Sequence, residues 1–368
     1  MNAGASESSA VQKNMETPLK AEHLAAGARV AEFNGCLLPE SFAGFESEYR
    51  AARETVALMD TNWHAITSLK GPDRARYLNA IVTNNVQSLE SGSGVLALLL
   101  SPQGRILAEL EIFALQESLL VLSHASVRER TTATLDKYII MDDVELEDIT
   151  DKMGTIAIEG PRAALVVQEA CGISLESIPD LSIREVTVGK TSCNLVRRSH
   201  FGAPGVEFIV QHDHVLVLWR ALLGAVCIHG GQPVGMKALN SLRLEAGIPW
   251  FPADFNDTVI PHEAALEDSH ISFTKGCYTG QEIVERVRSR GHVNRRRVSL
   301  KFSTADPPQI ATRLRVESNE VGLVTSAAFS PAAATAIGMG YVRREHAAPG
   351  SALEFDGGAA TVVILPTL

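Results

Sequence analysis

The segment Lys275-Gly276-Cys277-Tyr278-Thr279-Gly280-Gln281-Glu282 holds the most chemically suggestive combination of side chains in the chain. A cysteine near a lysine can do nucleophilic, redox or metal-ligand chemistry, because a neighbouring ammonium favours the thiolate. Gly276 and Gly280 free the backbone to approach a ligand closely. The plain alternative is an inert cysteine buried in a turn, and the polar, charged flanks argue against burial. Directly downstream, Arg286, Arg288, Arg290, Arg295, Arg296 and Arg297 place six guanidiniums in twelve residues. Guanidinium pairs with carboxylate or phosphate in a two-pronged way that lysine does not reproduce. This run is therefore either a solvated basic face or an anion site for a polycarboxylate tail or RNA. If extended, the chain projects Arg286, Arg288 and Arg290 to one side; a helix spreads them around its circumference.

Upstream, Leu242-Arg243-Leu244-Glu245-Ala246-Gly247 reads as a helix end closed by Gly247. Glu245 sits in the last turn, where the helix dipole disfavours a carboxylate. Two readings stay open: an ordinary Glu paired with Arg243, or a carboxylate that receives the paired N–H donors of an amidine-like ring such as a pterin. Other chemistries lack their motifs. There is no GxGxxG, GxxxxGK[ST] or GxSxG run, which sets aside the nucleotide and hydrolase classes those motifs mark. His212-Asp213-His214 has no nearby His or Cys to complete a metal site, so no metal is expected. The five cysteines (Cys36, Cys171, Cys193, Cys227, Cys277) are too widely spaced for zinc or cluster motifs and suit a reducing, cytoplasmic setting.

The positioning elements follow from composition and periodicity. With 368 residues, 45% apolar and 21% charged, the chain can bury cores for two or three domains. Its net charge of −10 argues against general nucleic-acid binding, so any basic patch is local. No apolar run approaches the ~20 residues of a membrane helix. Residues 1 to about 20 are small and polar and are expected to be disordered. Strand, Gly-Pro and helix recur at His64–Lys70 with Gly71-Pro72 and at Thr155–Glu159 with Gly160-Pro161, suggesting two related halves. The first helix is expected over Arg74–Val86. Val95–Leu100 and Arg105–Phe113 flank Ser101-Pro102-Gln103-Gly104 as a hairpin, and from Arg297 onward only short strands and turns appear. The fold class is α+β: a lead-in through residue 40, an α+β region over 41–296 in halves of about 41–150 and 151–296, and an all-β tail over 297–368.

KGCYTGQE, with the following RSRGHVNRR and the preceding LRLEAGIP and VIPHEAALE, resembles the folate-binding YgfZ family, relatives of the glycine-cleavage T-protein, an aminomethyltransferase. The resemblance is closest over residues 236–297. It implies a ring of α+β subdomains around a central folate site, followed by a C-terminal β-barrel. By that resemblance Glu245 holds the pterin, and Cys277 faces the folate cavity as a redox thiol or transient cluster ligand. Lys275, Gly276, Tyr278, Gly280, Gln281 and Glu282 then shape the wall. Arg286 and Arg288 meet the glutamyl tail of tetrahydrofolate, and the Arg286–Arg297 patch meets a protein or tRNA. The implied role is support of iron–sulfur cluster assembly or repair, with assembly proteins or client enzymes such as tRNA-modifying ones as partners. The T-protein carries paired Asp after the hairpin glycine, where this chain has Ala108-Glu109. A longer, looser carboxylate there argues against aminomethyl transfer. The alternative is a folate-dependent one-carbon transferase that uses Glu109.

Overall fold

A computed structural model describes residues 14–364. Three sheets and a barrel make up the molecule. The antiparallel five-stranded sheet contains the expected hairpin, Gly94–Leu100 and Ile106–Ala114, then Leu119–His124, His64–Lys70 and Glu145–Asp148. The six-stranded sheet runs Ile183–Val188, Thr191–Arg197, Gly205–Gln211, Met153–Glu159, Ala57–Asp60 and Gln232–Pro233. The first half of the chain thus contributes Ala57–Asp60 to the sheet of the second. Both Gly-Pro boundaries turn strand into helix, with φ +95° at Gly71 and +143° at Gly160. A Cβ on Gly160 would lie 2.7 Å from the Thr55 carbonyl oxygen, so only glycine fits that turn.

Two expectations change. Residues 1–13 lie outside the described residues, but the polar segment after them is ordered. Met15–Glu16 pairs in parallel with Cys36–Leu37, and a helix runs Lys20–Ala25. Leu19 and His23 are the reason: both are fully buried, and His23 Nε2 lies 2.7 Å from Asp60 Oδ2. The expected helix over Arg74–Val86 stops at Asn79. There the Asn79 side-chain oxygen takes the Val86 N–H at 3.0 Å, and the chain turns so that Val82 bridges to Leu99.

Arg295–Phe302, Arg313–Val316, Asn319–Ser330, Thr335–Arg343, Ala352–Phe355 and Gly358–Val363 close into a six-stranded barrel with its own core of Leu300, Phe302, Val324 and Val342. The architecture is therefore a mixed α/β body with a C-terminal closed barrel. The helix Met236–Glu245 lies between body and barrel. No helix among the described residues is long and apolar enough to cross a membrane.

Candidate functional site

A cavity opens where the sheets and the helix Met236–Glu245 converge. Trp63 and Trp250 give it an aromatic wall, their ring centroids 6.1 Å apart and tilted by 37°. The polar wall comes from His64, His124, Glu109, Glu111, Arg198 and His200. Glu109 and Glu111 project from alternate positions of Ile106–Ala114, the period that places two side chains on one face of a strand.

Each ionisable group is set by its neighbours. Arg198 Nε lies 2.9 Å from Glu111 Oε1. Glu109 Oε1 lies 3.0 Å from His270 Nε2. Burial pushes Glu109 upward, but the His270 hydrogen bond, with the charges of Arg198 and His64, outweighs it and holds the carboxyl below its ordinary range. Burial pushes His124 and His200 down to about 4, so both are neutral at physiological pH.

Behind His64 and His200 stands Glu207, fully buried in the strand Gly205–Gln211. His64 Nε2 is 3.2 Å from its Oε1 and His200 Nε2 is 4.0 Å from its Oε2. These are ion-pair distances without hydrogen-bond alignment: both carboxylate oxygens and both ring nitrogens lack a hydrogen-bond partner. Burial opposes ionisation of Glu207, and the charge of His64 overrides it to hold the group below the usual carboxylate range. Buried polar atoms held by ion pairs rather than by aligned hydrogen bonds keep capacity for further donors from water or a ligand. The loop bearing His200 is fixed by Glu159, which accepts from Ser199 Oγ at 2.7 Å and from the N–H groups of His200, Phe201 and Ala203 at 2.6, 2.9 and 3.0 Å.

Glu245 lies apart from this cavity. Tyr49 Oη contacts both its oxygens at 2.9 Å, Ser330 Oγ donates to Oε1, and Arg53 Nη1 is 3.7 Å from Oε2. Its acceptors are taken at the junction of two helices and the barrel. Lys275 to Glu282 come together with one another and with the hairpin, and none of them lines the cavity. Lys275 Nζ donates to the carbonyls of Asn79, Val82 and Asn84, the last two at 2.5 and 3.1 Å, so its donors are spent on backbone rather than on Cys277. Tyr278 is buried beneath it, ammonium to ring centroid 5.1 Å. Gly280 begins the helix Gln281–Arg290 with φ +83°, and a Cβ there would stand 2.7 Å from the Ser101 carbonyl oxygen. Gln281 and Glu282 form the first helical turn, and Gly276 and Cys277 are exposed.

The arginine run divides in the same way. Arg286 and Arg288 ride the helix, exposed, with the Arg288 guanidinium 4.2 Å from the Phe273 ring centroid. Arg295 pairs with Glu263 at 3.1 Å, Arg296 with Glu267 at 3.1 Å, and Arg297 donates to the Ala264 carbonyl at 2.8 Å. Those three hold the 258–267 segment to the barrel. Sequence reasoning missed Glu207, His64, His200, Trp63, Trp250 and His270. A legible signal existed for the first: an acid inside the apolar strand Gly-Val-Glu-Phe-Ile-Val.

Residues 19–275 match the GCVT N-terminal domain, and residues 295–367 match the glycine cleavage T-protein C-terminal barrel domain. The chain belongs to the glycine-cleavage T-protein family. It is 28% identical over 329 residues to the aminomethyltransferase of Rubrobacter xylanophilus, covering 89% of this chain and 87% of that one. It is also 28% identical over 342 residues to that of Chlorobium limicola, covering 91% and 93%. The crystal structure of glycine cleavage system aminomethyltransferase T from Bartonella henselae superimposes with a TM-score of 0.88 at 25% identity, over 96% of this chain and 98% of that one. These relatives carry the name aminomethyltransferase; the narrower YgfZ resemblance rests on the 236–297 motifs.

Proposed function

We propose that this protein binds a reduced pterin of the tetrahydrofolate class in the cavity walled by Trp63, His64, Glu109 and Trp250. The observation that carries the reading is Glu207, buried directly behind the cavity-lining His64 and His200, whose two oxygens face those rings as ion pairs without an aligned hydrogen bond. A carboxylate with no aligned hydrogen bond, and only its ion pair with His64 to give up, matches two adjacent N–H donors, as a pterin presents at its amino group and neighbouring ring nitrogen. When bound, tetrahydrofolate would supply the nitrogens that carry a one-carbon unit. The chain's own residues do the rest: Glu207 orients the ring, Trp63 and Trp250 exclude water, and Glu109 presents a fixed negative charge to the cavity. Such a charge favours positive charge developing on a bound amine. Together with the relatives' name, this supports folate-dependent one-carbon transfer as the activity.

A second reading, maintenance of iron–sulfur clusters, is favoured by Cys277. Its neighbours Lys275, Tyr278 and Gly280 are committed to packing, while the thiol itself is exposed. In that reading assembly proteins or client enzymes dock at Cys277, tRNA or another polyanion meets Arg286 and Arg288, and the setting is cytoplasmic. Anaerobic calorimetry with tetrahydrofolate tests the shared premise. Glu207→Gln should bind at least about tenfold more weakly, the loss of one charged hydrogen-bond pair, whereas wild-type affinity in that variant overturns the site. Glu109→Gln and Cys277→Ala then separate the activities. Loss of one-carbon transfer in the first supports the transferase, and loss of cluster-dependent tRNA thiolation in a strain carrying the second supports cluster maintenance.

A further inference from the structure

Glu109 is a long carboxylate with a rotatable arm, and a free arm would lose rotamer entropy on being held in one pose. The structure supplies a holder. His270 is 4% exposed and fixed at several points: its N–H donates to the Leu266 carbonyl at 3.0 Å, its own carbonyl accepts from Thr83 Oγ1 at 2.6 Å, and Ser269 Oγ lies 2.7 Å from its Nδ1. With the Ser269 hydroxyl donating to Nδ1, the ring proton sits on Nε2 and points at Glu109 Oε1, 3.0 Å away. Thus one carboxylate oxygen is anchored from outside the cavity. We propose that His270, steadied by Ser269, is the positioning residue that aims the Glu109 carboxylate into the cavity and keeps it there as an anion.

The charged groups around Glu109 agree with this assignment. Arg198 and His64 reinforce the anion from across the cavity. Glu111, two residues along the strand, is answered by Arg198 at 2.9 Å, and His124 is kept neutral by burial. His270 is the group that also makes the directional bond. Its use in a reaction rests on the folate reading above, but the arrangement itself is measurable in the ligand-free protein, so the two can fail separately.

The test is a carbon-13 NMR titration of the full-length, ligand-free protein labelled at glutamate carboxyls, with the Glu109 resonance assigned by its absence in Glu109→Gln. Wild-type Glu109 should ionise below the ordinary carboxylate range. In His270→Phe burial is unopposed by the bond, and proton affinity should rise by at least about tenfold, the loss of one hydrogen bond to the charged form. His270→Gln, which restores an N–H donor, should recover part of the shift. Ser269→Ala should move the midpoint in the same direction as His270→Phe by a smaller amount. A midpoint within about twofold in proton affinity of wild type in both His270 variants overturns the proposal. So does a Gln variant no better than Phe, because a merely structural role for His270 would not respond to the donor.

Discussion

Glu48, Glu159 and Glu207 are each fully buried, yet their surroundings differ in a way that separates structural from functional carboxylates. Glu48 accepts the N–H groups of Phe42, Gly44 and Gly235 at 2.6, 2.9 and 2.7 Å. Glu159 accepts four donors from the Ser199–Ala203 loop. Glu207 has no aligned donor and faces His64 Nε2 at 3.2 Å as an ion pair. Removing Glu159 strands three backbone N–H groups, so Glu159→Ala should cost at least about 3 kcal/mol of stability at about 1 kcal/mol or more per stranded donor. Glu207→Gln strands no backbone donor and keeps an oxygen facing His64, 3.2 Å away, so it should lose some stability with the ion pair but less than Glu159→Ala, while tetrahydrofolate affinity falls. Calorimetric melting of both variants checks the contrast, and a Glu207→Gln protein as unstable as Glu159→Ala would assign Glu207 a structural role. Glu207 was within reach of the sequence as a charge inside an apolar strand. Glu245 drew attention for its place in a helix's last turn, and sequence alone could not reveal that Tyr49 and Ser330, far away in the chain, occupy its oxygens.

At the scale of elements, the KGCYTGQE segment acts as a staple. Lys275 reaches back to three carbonyls at the end of the helix Arg74–Asn79 and just beyond it, and Gly280 seats the helix Gln281–Arg290 on the Ser101–Gly104 turn. That turn answers with Gly104, where a Cβ would stand 2.9 Å from the Ile283 side chain. The hairpin so held carries Glu109 and Glu111 on its second strand. The sequence marks Gly280 as a point of close approach, but a glycine cannot show whether a ligand or another backbone approaches it. Gly280→Ala meets both a backbone oxygen and a positive φ, and should lower stability by about 1–3 kcal/mol. Lys275→Met should cost about 2 kcal/mol or more by leaving buried carbonyls without a donor. Because the strain falls on the hairpin, both variants should also weaken ligand binding without touching the ligand. Urea unfolding alongside calorimetry measures the two effects, and full affinity in a clearly destabilised Gly280→Ala would disconnect the staple from the cavity.

Over the whole molecule, the all-β tail was readable because short strands and turn residues repeat, whereas its attachment was not, because Asp254 and its barrel partners are 71 to 87 residues apart. The attachment centres on Asp254, 1% exposed, which takes Arg243 Nη1, the hydroxyls of Thr325 and Ser326, and the Trp250 N–H, the last at 3.0 Å. Tyr341 of the barrel donates to the Asp254 carbonyl at 2.8 Å. Burial works against the Asp254 anion, but Arg243 and the hydroxyl and backbone donors prevail and hold its carboxyl below the ordinary range. A carboxyl depressed in the folded state stabilises the fold fully above its unfolded value of about 3.9, and that contribution drains away as pH falls toward the lower folded value. Docking of the barrel should therefore weaken below about pH 4. Asp254→Asn leaves Arg243, itself 1% exposed, as an unpaired buried cation, at a cost of about 3–5 kcal/mol at neutral pH. The same variant has no carboxyl left to titrate at the junction. Urea unfolding at pH 7, 4 and 3 should show wild type losing stability more steeply with acid than Asp254→Asn, so that the gap between them narrows. Parallel losses in the two proteins would place the acid sensitivity elsewhere than the barrel junction.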